Sequence, residues 1–288
     1  MKSTIHVVLV SAIGMAGCVG APSPLAPNVS GSVGVPHSGV LTDGVELPRR
    51  GAGFARLRPR SPNYWGNPRL ISAIQDAARG VFENLPGGEP LLVGDISAKG
   101  GGQLVGHHSH RTGRDADLLL FLTTPSGAPI PSPGFVKIGS DGLGKIEGEG
   151  VTDPTYVRLD VERQWRLVKE LVASPKTVQW LFVSRGIEAL LVDYARARGE
   201  EPYLIWRAES MMLEPGDSTP HDDHVHLRIA CLDEETLAGC EGGGPHWTWL
   251  GPEPELPELD PKTLGEIARD DPFALEPLAT GPTSGGGA

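Results

Sequence analysis

The chain has 288 residues, of which 39% are hydrophobic, and a formal net charge of −11 at pH 7. This length accommodates one large domain or two small ones, and the apolar content supports a buried core. The acidic balance argues against a nucleic-acid-binding protein, which usually carries a basic face, so no nucleic-acid partner is expected. Much of the Gly and Pro lies toward the two ends, which indicates one globular domain with loose extensions.

The first residues have the pattern of an export signal. Lys2 precedes a mostly apolar run from Ile5 to Ala16, which is as long as a signal-peptide core and too short for a transmembrane helix. The segment that ends at Cys18, Met-Ala-Gly-Cys, resembles a bacterial lipobox. It predicts a signal peptide over 1–17 and lipidation of Cys18. The alternative is ordinary cleavage nearby, with Cys18 discarded or left free.

An N-terminal lipid anchor would place the protein in the periplasm, attached to the outer membrane. The Gly-, Pro- and Ser-rich segment 18–49 then reads as a flexible tether. The folded domain is predicted over 50–252. The tail over 253–288 is rich in Pro, Glu, Asp and Gly and is predicted to be disordered.

Apolar spacing predicts the elements of the domain in chain order. Helices are predicted where apolar residues recur every three or four positions, over 68–85, 161–174 and 187–198. Strands are predicted at short apolar or alternating runs, over 91–93, 118–122, 178–183 and 224–229. Residues 94–102 and 125–154 read as loops. Because helices and strands do not alternate regularly, the pattern favours the α+β class.

Six of the nine histidines stand in two short clusters. The first cluster contains His107, His108 and His110, and the second contains His221, His224 and His226. Histidine is the commonest side-chain ligand for metals such as zinc and titrates near neutral pH. The two clusters can meet only through the fold. If they meet, they can hold a metal ion and still leave a base for chemistry.

The spacing within the clusters fits a loop and a strand. His110 and Asp117 are seven residues apart, which is too far for one helix face and suits a loop that turns at Gly113. His224 and His226 are two apart, so on a strand they share one face. One His, one Asp and one further His leave a fourth position for water, as in catalytic zinc sites.

These stretches resemble the zinc peptidases grouped with lysostaphin, D-Ala-D-Ala peptidases and hedgehog proteins. Their shared pattern is a His, a Gly three residues on, an Asp four residues further, and a later His-x-His. It stands here as His110, Gly113, Asp117, His224 and His226.

Wider stretches are similar to the penicillin-insensitive murein endopeptidase family. They are Gly94-Asp95-Ile96-Ser97, His107-x-Ser109-His110 and His221-Asp222-x-His224. The likeness runs from about residue 60 to about residue 240.

The resemblance implies a small central antiparallel sheet flanked by helices, with zinc (Zn2+) on the sheet face. It implies a zinc endopeptidase that cleaves the D-alanyl–meso-diaminopimelyl amide of peptidoglycan cross-links. Two alternatives stay open. One is a carboxypeptidase that trims terminal D-Ala on the same scaffold, and the other is a non-catalytic wall-binding lipoprotein.

By matched position, the zinc ligands are His110, Asp117 and His226, and His107 approaches the metal. His224 is the catalytic histidine and His221 assists it. The family is also described with a second metal position that uses an Asp and a His. No His stands between 111 and 220 to build such a site in that way.

Several neighbouring residues allow two interpretations. Arg228 is expected either to bind a substrate carboxylate or to pair with an acidic neighbour in the sheet. Asp115 is either a helper of the site or a surface charge. Cys231 and Cys240 are expected to form a disulfide in an exported chain, with a thiolate metal site as the competing interpretation. Five tryptophans are expected to pack in the core or at its rim rather than to form a carbohydrate platform: Trp65, Trp180, Trp206, Trp247 and Trp249.

Overall fold

A computed structural model describes residues 31–146, 155–174, 178–216, 218–242, 244–245 and 247–250. Within these ranges the chain forms five α-helices, none of them long and apolar enough to cross a membrane. They are α1 (Pro68–Asn84), α2 (Val161–Ala173), α3 (Arg185–Ala197), α4 (Pro202–Met211) and α5 (Asp233–Leu237). The predicted signal peptide, Cys18 and the predicted tail lie outside the described residues.

Most strands are short. They are β1 (Gly31–Val35), β2 (Ser38–Thr42), β3 (Val45–Glu46), β4 (Arg50–Gly51), β5 (Phe54–Arg56), β6 (Trp65–Gly66), β7 (Leu91–Val93), β8 (Asp115–Leu119), β9 (Leu122–Thr123), β10 (Pro129–Ile130), β11 (Leu143–Ile146), β12 (Thr155–Leu159), β13 (Val178–Phe182), β14 (Met212–Leu213) and β15 (His224–Ile229). A 3-10 turn covers Thr248–Leu250.

The central sheet has seven strands in the order β14-β13-β15-β8-β7-β5-β4. The pairs β13–β15, β15–β8 and β7–β8 are antiparallel, whereas β13–β14 and β5–β7 are parallel. The α+β class is confirmed, but the prediction of a small antiparallel sheet is wrong. The missed strands β4, β5 and β14 have only two or three residues, which is too few to show an alternating pattern.

The predicted helices are present, and their ends have local causes. At the start of α1 the Asn67 side chain accepts a hydrogen bond from the Arg69 amide (3.0 Å), and Pro68 occupies the first turn, where its missing N–H is not needed. The Asp160 carboxylate likewise accepts from the Arg163 amide (3.1 Å) and caps α2. α1 contacts β5 and β15, and α2 contacts α1, α3 and α4. Helices α4 and α5 were not predicted.

The predicted flexible tether is wrong for its second half. β1 and β2 pair in an antiparallel hairpin, and β3 pairs with β6. Leu41 and Leu47 are buried, so these few apolar residues fix a segment whose overall composition reads as a linker. The Leu41 amide donates to the carbonyl of Gly100 (3.0 Å), which joins the hairpin to the loop before the first histidine cluster.

Two further expectations need correction in the middle of the chain. The apolar run 118–122 is divided between two sheets, because β8 ends at Leu119 and β9 pairs with β10 and β12 instead. The predicted loop 125–154 contains β10 and β11, which join β9 and β12 in a four-stranded sheet. Cys231 and Cys240 are joined by a disulfide.

Candidate metal centre

The pairing of β8 with β15 brings the two histidine clusters together. In this antiparallel pair His226 stands opposite Asp117, and Arg228 stands opposite Asp115. Residues two apart on a strand share a face, so Asp115, Asp117, His224, His226 and Arg228 lie on one side of the sheet. The expected convergence of side chains more than a hundred residues apart is therefore produced by strand register.

One carboxylate oxygen is the centre of the arrangement. Asp117 Oδ1 lies 3.2 Å from His110 Nε2, 3.5 Å from His226 Nδ1 and 3.4 Å from His224 Nε2. Asp117 and His110 are almost completely buried. Three imidazoles therefore point one nitrogen each at the same buried carboxylate.

The other nitrogen of each imidazole is held by an acceptor. His110 Nδ1 donates to the carbonyl of Ile96 (2.7 Å), and His226 Nε2 donates to Asp115 Oδ1 (2.7 Å). Metal-binding histidines commonly donate their second N–H to a carbonyl or a carboxylate, which fixes the tautomer and the ring orientation. His110 and His226 thus have the hydrogen-bonding environment that a metal ligand needs.

Backbone pairing positions the loop that carries the Ile96 carbonyl. The Gly94 amide donates to the Asp117 carbonyl (2.7 Å), and the Asp117 amide donates to the Asp95 carbonyl (3.1 Å). A Cβ on Gly94 would lie 3.0 Å from the Cβ of Asp117, which is tighter than an ordinary contact, so glycine favours this close approach. These two hydrogen bonds hold the loop that begins at Gly94 alongside β8.

His110 and Gly113 need unusual backbone conformations. His110 has φ 67° and Gly113 has φ 67°, both in the left-handed region. A Cβ at Gly113 would come within 2.6 Å of a Leu41 methyl group. His221, on the other side of the site, also has a positive φ of 55°. Such strain in non-glycine residues concentrates at functional sites.

His107 borders the same centre. Its Nδ1 lies 3.8 Å from Asp117 Oδ2, and its Nε2 lies 3.3 Å from Asp95 Oδ2, which Arg58 also contacts at 3.1 Å. His107, His110 and Asp117 offer ligand atoms that all lie within 4.8 Å of one another. His107 therefore lies beside Asp117 Oδ2, whereas His226 faces Asp117 Oδ1.

His224 and His221 occupy the open side. His224 Nδ1 donates to Asp223 Oδ1 (2.5 Å), which leaves its Nε2 facing Asp117. His221 Nδ1 donates to the carbonyl of Thr219 (2.7 Å), and the ring centroids of His221 and His224 are 4.8 Å apart. His221, His224 and His226 also form a group of ligand atoms within 4.8 Å.

Burial and the neighbouring carboxylates set the protonation states. Burial lowers the pKa of His226 to about 4, so this imidazole is neutral at neutral pH, as a metal ligand must be. Burial also disfavours the charged form of His224, but its bonds to Asp117 and Asp223 outweigh this and raise its pKa to about 9. Despite burial, the surrounding imidazoles hold the pKa of Asp117 well below its usual range.

The donor set fits a small divalent metal ion. His110 Nε2 and Asp117 Oδ1 are both buried, and neither has a hydrogen-bond partner in the described part of the chain. Buried polar atoms are rarely left in this state. Ligand atoms about 2.1 Å from a tetrahedral zinc ion lie about 3.4 Å apart, and the separations of Asp117 Oδ1 from His110 and His226 are 3.2 and 3.5 Å. An ion between these atoms would satisfy both.

Arg228 has one of its two expected partners. Its Nε donates to Asp115 Oδ1 at 2.7 Å, and Asp115 is completely buried. The interpretation of Asp115 as a surface charge is therefore wrong. Because Asp115 also accepts from His226, the Arg228 guanidinium fixes the carboxylate that orients a candidate ligand.

Two aromatic residues of the site were not found from the sequence. The ring of Phe135 lies 5.3 Å from that of His224, and Phe135 remains 38% exposed. The ring of Phe182 lies 5.4 Å from that of His226. Phe182 is on β13, next to β15, so its position two residues after Trp180 on a predicted strand was a usable signal. Phe135 comes from the long loop, where no pattern marks it.

Comparison with known proteins places the chain in a family. A family model described as penicillin-insensitive murein endopeptidase matches residues 32–246. The protein of that name from Haemophilus influenzae is 27% identical over 277 residues, which cover 91% of this chain and 86% of that protein. The one from Klebsiella pneumoniae (strain 342) is 30% identical over 245 residues, covering 80% and 79%. The one from Escherichia coli O1:K1 / APEC is 34% identical over 213 residues, covering 71% and 68%. The chain therefore belongs to the penicillin-insensitive murein endopeptidase family.

Proposed function

We propose that this chain is a zinc-dependent endopeptidase that hydrolyses the D-alanyl–meso-diaminopimelyl amide in peptidoglycan cross-links. The family is one of metallopeptidases that act on peptidoglycan cross-links. The observation that carries the proposal for this chain is the convergence of His110 Nε2 and His226 Nδ1 on Asp117 Oδ1, with His224 beside them.

His110, Asp117 and His226 would hold the ion, with His107 at the other oxygen of Asp117. A divalent zinc ion bound there lowers the pKa of water and polarises a carbonyl oxygen. Three protein ligands of this kind leave a position open to solvent and substrate, as catalytic zinc sites require. The ligand residues are buried, so charge on them is poorly screened by water.

His224 is assigned the proton transfers. Asp223 holds its Nδ1–H, so protons enter and leave at Nε2, which faces the site. Asp117 and Asp223 both raise the pKa of His224. A cation held by Asp117 would offset the negative charge of that carboxylate and lower the pKa of His224 toward neutrality, where general acid–base catalysis is most effective.

His221 is assigned the stabilisation of negative charge on the substrate carbonyl. The carbonyl of Thr219 already holds Nδ1–H, so this role requires the imidazolium form, with a second proton on Nε2 to donate to the substrate oxygen. The ring centroid lies 4.8 Å from that of His224 and 6.3 Å from that of Phe182. Arg228 is assigned a positioning role, because Asp115 occupies its Nε. Contact of Arg228 with a substrate carboxylate is the alternative from the sequence, and it would use the guanidinium nitrogens that Asp115 leaves free.

A digest of purified muropeptides tests this function. Cross-linked dimers are expected to fall to monomers, EDTA to stop the reaction, zinc to restore it, and penicillin to have no effect. His224→Ala is expected to remain folded and metal-loaded but inactive. Release of terminal D-Ala without loss of dimers would instead indicate a carboxypeptidase, and sacculus binding without any product would indicate a wall-binding protein.

We also propose, from the sequence alone, that the protein acts in the periplasm and is anchored through Cys18. Its relatives are named for the cell-wall polymer murein. Labelling with a radioactive fatty acid is expected to mark the native chain and not Cys18→Ala. A cleaved, unlabelled native protein would show that the leader is an ordinary signal peptide.

A further inference from the structure

His107, Asp95 and Arg58 form a chain of contacts at the edge of the metal centre. His107 Nε2 lies 3.3 Å from Asp95 Oδ2, and Arg58 Nη1 donates to the same oxygen at 3.1 Å. The other imidazole nitrogen, Nδ1, lies 3.8 Å from Asp117 Oδ2. These three residues, here termed the outer triad, lead from the candidate metal centre to the surface, where the Arg58 side chain is 57% exposed.

The outer triad has a counterpart within the same site. There His226 and Arg228 both donate to Asp115 Oδ1 at 2.7 Å, and the second nitrogen of His226 faces the candidate ligands. A carboxylate that accepts from a metal-binding histidine fixes which nitrogen carries the proton and how the ring is turned. The repeated arrangement indicates that Asp95 does for His107 what Asp115 does for His226.

Asp95 is buried, and the neighbouring strand fixes its position. Its side chain is only 8% exposed, and its carbonyl accepts a hydrogen bond from the Asp117 amide (3.1 Å). Among the described residues its carboxylate contacts side chains 37 positions earlier and 12 positions later, both outside its own loop 94–102. Because burying a carboxylate is unfavourable, these contacts point to a role at His107 rather than to local support of the loop.

The loop that carries His107 gives the imidazole little other support. Val105, two residues earlier, is 94% exposed, and the His107 amide donates to the Leu104 carbonyl (3.2 Å) in a local turn. A long side chain on an exposed loop samples several rotamers unless a partner orders it. Besides the ring of His110, whose centroid is 4.4 Å away, Asp95 is the partner that the structure gives to this imidazole.

His107 lies between two carboxylate oxygens, which decides what its Nδ1 can do. When Nε2 donates its proton to Asp95, Nδ1 of the neutral ring presents a lone pair. This lone pair faces Asp117 Oδ2, which is also an acceptor, so no hydrogen bond can join the two atoms. A divalent ion near both would attract both, and His107, His110 and Asp117 offer ligand atoms within 4.8 Å of one another.

We propose that Asp95, held by Arg58, is a positioning residue that directs Nδ1 of His107 toward the metal ion. This inference rests on the proposed function, because it assumes an ion at the candidate centre. The outer triad is looser than its counterpart at His226, with contacts of 3.3 and 3.1 Å instead of 2.7 Å. Asp95 therefore contributes less to metal affinity than the carboxylate of that counterpart.

A double-mutant cycle on metal affinity tests this role. The dissociation constant for zinc is measured with a competing chelator in the native full chain, Asp95→Asn, His107→Gln and the double variant. Asp95→Asn is expected to raise this constant about tenfold, the lower end of the range for loss of an outer partner. Because Asp95 acts through His107, adding Asp95→Asn to His107→Gln should have no further effect. An equal loss in both backgrounds would overturn the proposal, as would native affinity in Asp95→Asn.

The protonated nitrogen of His107 gives a second readout, which a merely structural role would not change. In NMR spectra of isotope-labelled histidine, the zinc-loaded native chain is expected to carry its His107 proton on Nε2. Asp95→Ala removes the acceptor and should change this signal, while the signals of His110 and His226 stay native. A simultaneous change in all three histidines would show a general disturbance of the site and count against a specific role at His107.

The matched control is Asp160→Asn, at the start of α2. Its carboxylate is also largely buried beside an arginine, and this variant should keep native zinc affinity. Arg58→Gln should weaken zinc binding less than about fivefold, since ion pairs with an exposed partner are weak. A larger loss in Arg58→Gln than in Asp95→Asn would show that the guanidinium does not act through Asp95, which would overturn the order of the outer triad.

Metal binding and cleavage are measured separately. If the native chain binds zinc but does not cleave the muropeptide dimer, the proposed function fails, and the cycle at Asp95 and His107 still decides the present inference. If the native chain cleaves the dimer and Asp95→Asn binds zinc as tightly as the native chain does, the present inference fails alone.

Discussion

The two faces of the β8–β15 strand pair contrast sharply in chemistry. One face carries Ala116, Leu118, Val225, Leu227 and Ile229, all buried in the hydrophobic core. The other carries Asp115, Asp117, His224, His226 and Arg228. The backbone is shared, so the difference comes only from the alternation of side chains. The apolar face stabilises the fold, and the polar face carries the candidate metal centre.

Burying the polar face is unfavourable for folding. Ionised groups removed from water need partners, and here the partners are themselves residues of the candidate metal centre. The pKa of Asp115 is lowered despite burial because Arg228 and His226 contact it. Packing on the apolar face therefore stabilises the strand pair that carries the buried charges of the polar face. Substitutions on the two faces should separate the effect on folding from the effect on metal binding.

The largest effect is expected on the polar face. Asp117→Asn removes the carboxylate on which three imidazoles converge, and metal binding is expected to be lost. Because a catalytic metal supplies several kcal/mol of transition-state stabilisation, activity should fall at least about 10³-fold. Metal analysis and dimer cleavage measure the two effects. Asp76→Asn, on the exposed face of α1, is the control, and native-like metal content in Asp117→Asn would contradict the assignment.

The next effect is expected on the apolar face. Leu118→Ala, one residue from Asp117, should lower the free energy of unfolding by about 2–5 kcal/mol because it leaves a cavity in the core. The folded fraction should keep native metal content and activity. Urea unfolding and metal analysis test this together. A loss of metal as large as in Asp117→Asn would show that the two faces cannot be separated.

Asp115 tests how the polar face orients the candidate ligand His226. Asp115→Asn keeps the shape but removes the charge that holds His226 and Arg228. Loss of such an outer partner typically weakens metal affinity about 10–100-fold. A zinc titration with a competing chelator measures this change. Asp141→Asn, at an exposed turn, should be indistinguishable from the native chain.

The sequence was sufficient to predict the polar face and insufficient for its surroundings. The alternation His-Val-His-Leu-Arg has the period of a strand, and the family pattern supplied the pairing of His110 and Asp117 with it. The Ile96 carbonyl, which orients His110, could not be identified, because a backbone acceptor has no side-chain signature. Phe135 was missed because the course of a long loop depends on distant contacts.

The same limit applies to the edges of the fold. The helix α1 was predictable from its capping residue and apolar spacing, since both signals are local. β4 and β5 have two and three residues, and their pairing is decided by the strands beside them. The hairpin of β1 and β2 has linker-like composition, and it is fixed by the burial of residues such as Leu41 and by backbone hydrogen bonds to distant segments such as Gly100.

The polar face should also make the metal-free protein sensitive to acid. The pKa of His226 is about 4 in the folded chain, below the unfolded value of about 6.5. Its contribution to stability is therefore complete above pH 6.5 and is lost as the pH falls toward 4. Between pH 6 and pH 5 this group should lower the free energy of unfolding by about 1.2 kcal/mol, because the unfolded chain binds nearly one proton more than the folded chain over that interval. The pKa of His224 is raised instead, so its contribution is complete below about pH 6.5 and is lost as the pH rises toward about 9.

Urea unfolding in EDTA at several pH values measures this slope. His226→Gln should be less sensitive to pH over this interval by about one proton, whereas Leu118→Ala should have the native slope at lower stability. Equal slopes in the native chain and His226→Gln would show that this imidazole is not the titrating group.

The smallest effect is expected at the exposed rim of the polar face. Phe135 contacts His224 edge to face and is 38% exposed, so Phe135→Ala should change the free energy of unfolding by less than about 1 kcal/mol. The loss of this ring contact should reduce dimer cleavage about threefold to tenfold through the position of His224. Phe82→Ala, with a ring 52% exposed on α1, is the matched control and should leave cleavage unchanged. Among the described residues the ring pairs of Phe135 include His224 and neither of the candidate ligands His110 and His226, so metal content should stay native. A variant that loses metal together with activity would show that Phe135 supports metal binding rather than the position of His224, to which we assign the proton transfers.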